Sequence, residues 1–337
     1  MSSIACSLQD ACGGCPEMAH TAEMQLQRKV HRIQRFLGRE VDLQVASPRP
    51  LAYRARIEMR PDDQGRLGYF QPRSHIHVPA THCPVAREEI NAVLGGLPPM
   101  PPGVRSLQFR SNGAEVVLSA RSARRDHAKV ANALRSLGAL NCQGLALDGK
   151  TLSGDDRLVF TDNDLVHSLG PLPFYQVNLE LNTLLVSKVL ETMAALSPTK
   201  VLDLYAGAGN FSLPLAAQGH AVVMVESQGE SLADARKTAE ANNLPVEQVR
   251  TDAGRLRAGD HFFDVALLDP PRAGAPGVIS QLVLTRPRAL VYVSCHAPSL
   301  ARDLKEASAA GYRIRDLSVF DMFPQTPHCE ILCVLER

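Results

Sequence analysis

From Lys200 onward, short apolar runs alternate with longer stretches of helical periodicity. Lys200–Leu204, Ala221–Glu226, Val246–Asp252, Phe263–Asp269 and Ala289–Cys295 read as strands. Asn210–Ala217, stopped by Gly219, reads as a helix, as do Ser227–Asn243 and Pro298–Ala310, the last stopped by Gly311. Two closing strand-like runs, Tyr312–Phe320 and Cys329–Leu335, have no helix between them. Such alternation predicts a doubly wound, mostly parallel sheet covered on both faces, with the closing pair as an antiparallel edge.

Ahead of this region the pattern changes. Glu17–Leu37 reads as a helix, with Met18, Met24, Val30 and Ile33 set among basic residues. From Val41 to about Phe160 the runs are short and alternating: Tyr53–Arg60, Arg66–Gln71, Ser106–Arg110 and Glu115–Ala120. Linkers rich in Pro and Gly, notably Gly95–Pro102, separate them. A chain of 337 residues accommodates two domains. The expectation is an α/β protein with a β-rich unit over residues 1–165 and the doubly wound unit over 166–337.

Composition, 45% apolar and 21% charged, is that of an ordinary folded chain. A net charge of +1 and 5% aromatics without Trp give no global signal for nucleic acid. The neutrality is a sum, however. Residues 1–165 hold 21 basic against 17 acidic residues, and 166–337 hold 15 against 18. Within Pro101–Arg135 seven basic residues, including Arg121, Arg124, Arg125 and Lys129, face two acidic ones. That local surplus suits an RNA surface and equally a solvated helix face. No basic, apolar leader opens the chain. The long uncharged run Leu204–Val225 is broken by Gly207, Asn210, Pro214 and His220, so no membrane span is expected. A cytoplasmic protein with reduced thiols follows, with no obligate protein partner evident. Its eight cysteines then need metal, catalytic or packing explanations.

Four segments carry chemistry in the rear half. Gly207 and Gly209 follow a strand, and Glu226 ends the next one, where an acid can accept ribose hydroxyls. Ser212 stands where a dinucleotide fingerprint has its third Gly, which favours S-adenosylmethionine over NAD. Asp269-Pro270-Pro271-Arg272 stiffens a loop at a strand end; an aromatic in place of Arg272 would have marked exocyclic-amine methylation. Cys295 sits at the tip of a core strand beside that crevice, a nucleophile's position, although buried cysteines more often simply pack. Glu330 opens the last strand, within reach of the crevice for a general base; read alone it would be a surface residue. In the front half Cys6, Cys12 and Cys15, closed by Cys83 before Pro84, suit a thiolate cage. Only one short pair is present, which favours [4Fe–4S] over zinc. Cys142, Cys329 and Cys333 are expected to pack.

Together these segments resemble the RNA uracil-5 methyltransferases over nearly the whole chain. The residues that carry the resemblance are Phe174-Tyr175-Gln176-Val177-Asn178, the run Asp203–Pro214, Asp269-Pro270-Pro271-Arg272, Ser294-Cys295 and His328-Cys329-Glu330, in that order. The resemblance implies a Rossmann-like methyltransferase domain behind an iron–sulfur domain, with Cys295 as nucleophile and Glu330 as base. It also implies that Gln176, Tyr205, Glu226 and Asp269 contact S-adenosylmethionine, with Asn210 and Asp252 as weaker candidates. Cys6, Cys12, Cys15 and Cys83 resemble the iron–sulfur ligands of ribosomal-RNA members. The start at the cysteine segment, without a further oligonucleotide-binding domain, resembles the shorter 23S rRNA enzymes, with transfer RNA as the alternative substrate. His296, Ala206 and Gln325 depart from the family's usual Asn, Cys and His. Exocyclic-amine methylation and non-catalytic RNA binding are the competing readings. The chemistry also leads to the expectation that the crevice lowers the pKa of Cys295.

Overall fold

The structure is a computed structural model that describes residues 6–123, 126–137, 140–162, 164–257 and 263–337. Arg124 and Arg125 of the basic segment lie outside the described residues.

A single turn, α1 (Gln9–Cys12), precedes the helix α2 (Ala22–Leu37) and a short strand, β1 (Leu43–Val45). Helix α2 starts where the Thr21 hydroxyl accepts the Met24 N–H at 3.3 Å, and it stops at Gly38 in the left-handed region. It therefore begins later than Glu17; residues 17–20 form turns onto the cysteine segment, with the Met18 N–H donating to the Cys15 carbonyl.

The β-rich layer follows with β2 (Arg56–Pro61), β3 (Leu67–Phe70), β4 (His77–Pro79), α3 (Glu88–Gly96), β5 (Val104–Ser111), β6 (Val116–Ser122), α4 (His127–Ser136), β7 (Gly144–Leu147) and β8 (Lys150–Gly154). Its seven strands run in the order β4-β3-β2-β5-β6-β7-β8, antiparallel except for the β6–β7 pair. Helix α3 extends through Gly95 and Gly96, assigned to a linker by composition. Its Ile90, Val93 and Leu94 are buried under this sheet, and that burial outweighs the helix penalty of a terminal glycine pair. An antiparallel pair, β9 (Leu158–Asp162) and β10 (Leu165–Leu169), leads onward.

The rear layer comprises α5 (Leu179–Leu196), β11 (Lys200–Leu204), α6 (Ser212–Ala217), β12 (Ala221–Glu226), α7 (Gly229–Ala241), β13 (Val246–Arg250), β14 (Val265–Leu268), α8 (Val278–Thr285), β15 (Ala289–Ser294), α9 (Ala297–Ala309), β16 (Arg313–Phe320) and β17 (Glu330–Glu336). The sheet order is β1-β16-β17-β15-β14-β11-β12-β13. One face packs on α2, α8 and α9, the other on α5, α6 and α7. The antiparallel strand β17 lies between β15 and β16, with β1 added beyond them in parallel to β16. Thus α2 and β1, early in sequence, belong to the rear layer.

The topology decides where the chemistry sits. Parallel strands β11, β12, β14 and β15 all end at one edge, delivering Tyr205, Glu226, Asp269 and Cys295 there. Because β17 runs the opposite way, its first residue, Glu330, arrives at the same edge. Among the described residues no helix is long and apolar enough to cross a membrane.

Candidate active site

The loop after β11 turns through three left-handed residues: Tyr205 at φ 63°, Gly207 at 56° and Gly209 at 90°. A Cβ on Gly209 would lie 2.6 Å from Leu213 Cγ, whereas one on Gly207 would meet open space. Gly209 is thus required by both backbone and packing, Gly207 by backbone alone. The Glu226 carboxylate accepts the Gly207 N–H at 3.0 Å and the Gln228 N–H at 2.8 Å, tying two strand ends together. Beneath the loop, Asp203 is fully buried and accepts the Ser212 hydroxyl. Burial pushes its carboxyl up to about 8. Asn210 and Asn182 exchange amide hydrogen bonds at 2.8 and 3.1 Å, and Asp252 accepts the Gly254 N–H at 2.9 Å. Gln176 is buried with a side-chain carbonyl that has no partner, the kind of acceptor a ligand's donor satisfies.

At the neighbouring strand ends, Ser294 pairs with Ile331 across β15 and β17, and the next residue on each chain, Cys295 and Glu330, lies just beyond that pair. Glu330 is 4% exposed, not a surface residue, and its Oε2 has no hydrogen-bond partner. Burial first, and the Asp269 charge second, hold its carboxyl well above the usual range. Asp269 is itself pushed up to about 7 by burial. The Cys295 thiol is pushed up to about 11, by burial and then by Glu330 and Asp269, against the opposing charge of Arg272. This corrects the expectation of a lowered thiol pKa: burial, reinforced by two carboxyls, outweighs one guanidinium. Cys295, Arg272, His296 and His328 share a cavity of about 290 Å³.

The Asp269–Gly274 loop is anchored by α9. Ser299 donates to the Arg272 carbonyl at 3.0 Å and Arg302 to the Ala273 carbonyl at 2.8 Å. Asp303, fully buried, accepts the Ala275 N–H at 2.7 Å and the Tyr292 hydroxyl at 2.6 Å. Sequence reasoning missed Asp303 and Asn182. The signal was an acid on the apolar face of a helix, between Leu300, Leu304 and Ala307.

In the front layer Cys12, Cys15 and Cys83 line one cavity of about 480 Å³ with Arg54 and Tyr69. The Cys15 thiol is pushed up to about 12 by burial and then by Cys83, with Cys12 and Cys6 adding to it. Among the described residues no three His, Cys, Asp or Glu side chains are grouped to hold a metal ion. Cys329 and Cys333 are buried in the rear core, and Cys142 packs half-buried against the front one. Alternate residues of β2 and the segment before it present guanidiniums to rings. Arg54 lies 6.0 Å from the Phe323 centroid, Arg56 4.5 Å from Phe174, and Arg60 5.9 Å from Phe70.

Residues 247–337 match the family model of tRNA (uracil-5-)-methyltransferases, and 201–270 match a general methyltransferase domain. A 23S rRNA (uracil(1939)-C(5))-methyltransferase of Klebsiella pneumoniae is 32% identical, covering 97% of this chain and 80% of that protein. Its counterpart in Pectobacterium atrosepticum is also 32% identical, over 96% and 77%. Among solved structures, the tRNA (uracil-54, C5)-methyltransferase of Pyrococcus abyssi with S-adenosyl-L-homocysteine superposes with a TM-score of 0.79. It is 25% identical, covering 96% of this chain and 85% of the other. With the glycine loop and the strand-end acids in one cleft, this likeness places the chain in the S-adenosylmethionine-dependent RNA uracil-5-methyltransferase family.

Proposed function

We propose that this protein methylates C5 of a uridine in RNA, with Cys295 as nucleophile and Glu330 as base. The observation that carries the reading is the antiparallel β15–β17 pairing, which sets a cysteine beside an unpartnered buried carboxyl. Uracil C5 is too weak a nucleophile to take a methyl group unaided. Addition of the Cys295 sulfur to C6 forms an S–C6 bond and drives the ring electrons into an enolate, which raises the density at C5. S-adenosylmethionine, when bound, supplies the electrophilic methyl group. Glu330 then removes the C5 proton, and the electrons left on C5 restore the C5–C6 double bond and expel the Cys295 thiolate. A carboxyl held well above its usual range is a stronger base than an exposed one, which suits proton removal from carbon.

Tyr205, Glu226, Asp269 and Gln176 are assigned to S-adenosylmethionine; the unpartnered Gln176 carbonyl and the strand-end placement of the other three support this. Asn210 and Asp252 are weaker candidates. The guanidinium–ring pairs on and before β2, with Phe174 exposed, suit the phosphates and unstacked bases of single-stranded RNA. The target base must leave its stack to reach the crevice. Because the curated relatives act on 23S rRNA, that RNA is favoured, with transfer RNA the alternative.

Cys6, Cys12, Cys15 and Cys83 are assigned to a [4Fe–4S] cluster. Cys12, Cys15 and Cys83 line one cavity, and Cys6 lies within electrostatic reach of Cys15, which supports this reading; the single short Cys12–Cys15 pair favours the cluster over zinc. Its role is structural, since the methyl chemistry involves no electron transfer. A cytoplasmic setting, where thiols stay reduced, accompanies this reading.

Glu330→Gln is expected to trap a covalent protein–RNA adduct on denaturing gels, and Cys295→Ala to form no adduct and transfer no methyl. Normal turnover in Cys295→Ala would end the mechanism and favour exocyclic-amine methylation at Asp269-Pro270-Pro271. Nucleoside mass spectrometry of ribosomal and transfer RNA from a deletion strain assigns the substrate. Anaerobically purified protein should carry about four irons per chain; zinc would reverse the cluster assignment.

A further inference from the structure

The loop from Asp321 to Glu330 is held by residues some three hundred positions away, through one buried amide above all. Gln25 on α2 is 1% exposed, as is Gln325 at the loop's apex. The Gln25 carbonyl accepts the Gln325 N–H at 2.7 Å, and its amide donates to the Gln325 Oε1 at 2.9 Å. The same amide nitrogen lies 3.0 Å from the Glu17 carbonyl and 2.9 Å from that of His20. Glu17 closes the circuit, its N–H donating to the Gln325 carbonyl at 3.1 Å. Gln325 sits at φ 68°, a left-handed conformation that a non-glycine residue keeps only when its surroundings hold it. One turn further along α2, Lys29 forms a buried ion pair with Asp321 and donates to the Phe323 carbonyl at 3.1 Å. The Tyr53 hydroxyl holds the Pro324 carbonyl at 3.0 Å, and Arg32 holds that of Pro327.

We propose that Gln25 is a positioning residue for the Glu330 carboxyl, fixing the apex of the loop that leads into β17 and locking it to the cysteine segment. The proposal rests on the assignment of Glu330 as base. Three observations point the same way. The bonds engage Gln325 at its backbone N–H, its side chain and, through Glu17, its carbonyl, so the conformation of one residue is fixed at three points. The strained φ shows that this conformation is imposed. Glu330 itself has a carboxylate oxygen without a partner, so no hydrogen bond aims that oxygen, and its placement rests on the strand pairing with Phe320 and on the loop that leads into it. Misplacing a catalytic group by about 1 Å costs up to a hundredfold in rate.

The experiment separates this from a fold-stabilising role by reading the step Glu330 serves. Full-length wild type, Gln25→Leu and Gln325→Asn are purified together, and folding is checked by circular dichroism. Turnover and the covalent adduct are then measured on an RNA substrate. Gln25→Leu is expected to lower kcat by about tenfold, to lower KM for S-adenosylmethionine with it so that kcat/KM is unchanged, and to accumulate methylated adduct, because elimination waits on the misaimed base. Gln325→Asn keeps the backbone bonds and tolerates the left-handed φ, so it should show a smaller build-up of adduct. In the Glu330→Gln background, Gln25→Leu should add nothing to adduct yield. Folded variants with wild-type adduct levels would overturn the proposal, as would a kcat loss without adduct. Should Gln25→Leu not fold, Gln325→Asn decides alone. Failure of Glu330→Gln itself to trap adduct would overturn the base assignment instead, a separate outcome.

Discussion

Two loops at the same edge of the rear sheet are built in opposite ways. The loop carrying Gly207 and Gly209 is held from nearby in sequence: Glu226 ties down Gly207, Ser212 bonds Asp203, and Asn182 answers Asn210. The loop carrying Gln325 and leading to Glu330 is held from the far end of the chain, by Glu17, Gln25, Lys29, Arg32 and Tyr53. The first is a self-contained binding element. The second is a composite, rigid only when the front of the chain is in place. On the proposed assignments, binding of a small cofactor and control of a reacting proton therefore rest on different parts of the molecule.

The largest effect expected from breaking this contrast is at Lys29. Lys29→Met leaves Asp321 buried without its counter-charge, a defect worth about 3–5 kcal/mol. Urea unfolding should show that loss, and Lys29→Met with Asp321→Leu should recover much of it. A protein as stable as wild type after the single change would mean that the composite loop is not dependent on α2. Next, Gly209→Ala forces a Cβ against Leu213 at a left-handed φ. Affinity for S-adenosylmethionine, read by calorimetry, should fall by roughly ten- to a hundredfold, as about 1–3 kcal/mol of strain implies. The composite loop should be untouched, with the Cys295 alkylation rate unchanged. The smallest effect concerns charge within the crevice. Removing the negative charge of Glu330 in Glu330→Gln should bring the Cys295 pKa down from about 11, because that charge raises it. The pH profile of iodoacetamide alkylation should move to lower pH. In wild type, kcat/KM should climb as pH rises through and beyond neutrality, since the thiolate fraction is still growing there. A flat profile from pH 6 upward would sink the raised-thiol picture.

How much was legible follows the same division. Strands β11, β12 and β15 match their apolar runs almost to the residue, because a buried parallel strand needs a mostly apolar sequence, Asp203 in β11 being the exception. Gly209 and Glu226 were readable because backbone constraint and strand-end position are local properties. Glu330 was assigned as base through its strand-end position and the resemblance; read alone it would be a surface residue, since nothing local tells that β17 is inserted between β15 and β16. Gln25 and Lys29 went unremarked because a polar residue on a helix is ordinarily solvated. Only the pairing across about three hundred residues turns them inward. The pKa of Cys295 was misjudged for a related reason: its burial, and the two carboxyls that converge on it from separate strands, are set by the fold and not by local sequence.

The separation between Gln25 and Gln325 also bears on the order in which the molecule assembles. A contact closed over so long a stretch of chain carries a larger loop entropy and forms late, whereas the glycine loop closes over a score of residues. During refolding, cofactor affinity is expected to return ahead of turnover. On the proposed assignments, a molecule caught between the two would hold its methyl donor and nucleophile while its base loop is still unlatched. Final docking of α2 is then the folding event that completes the enzyme.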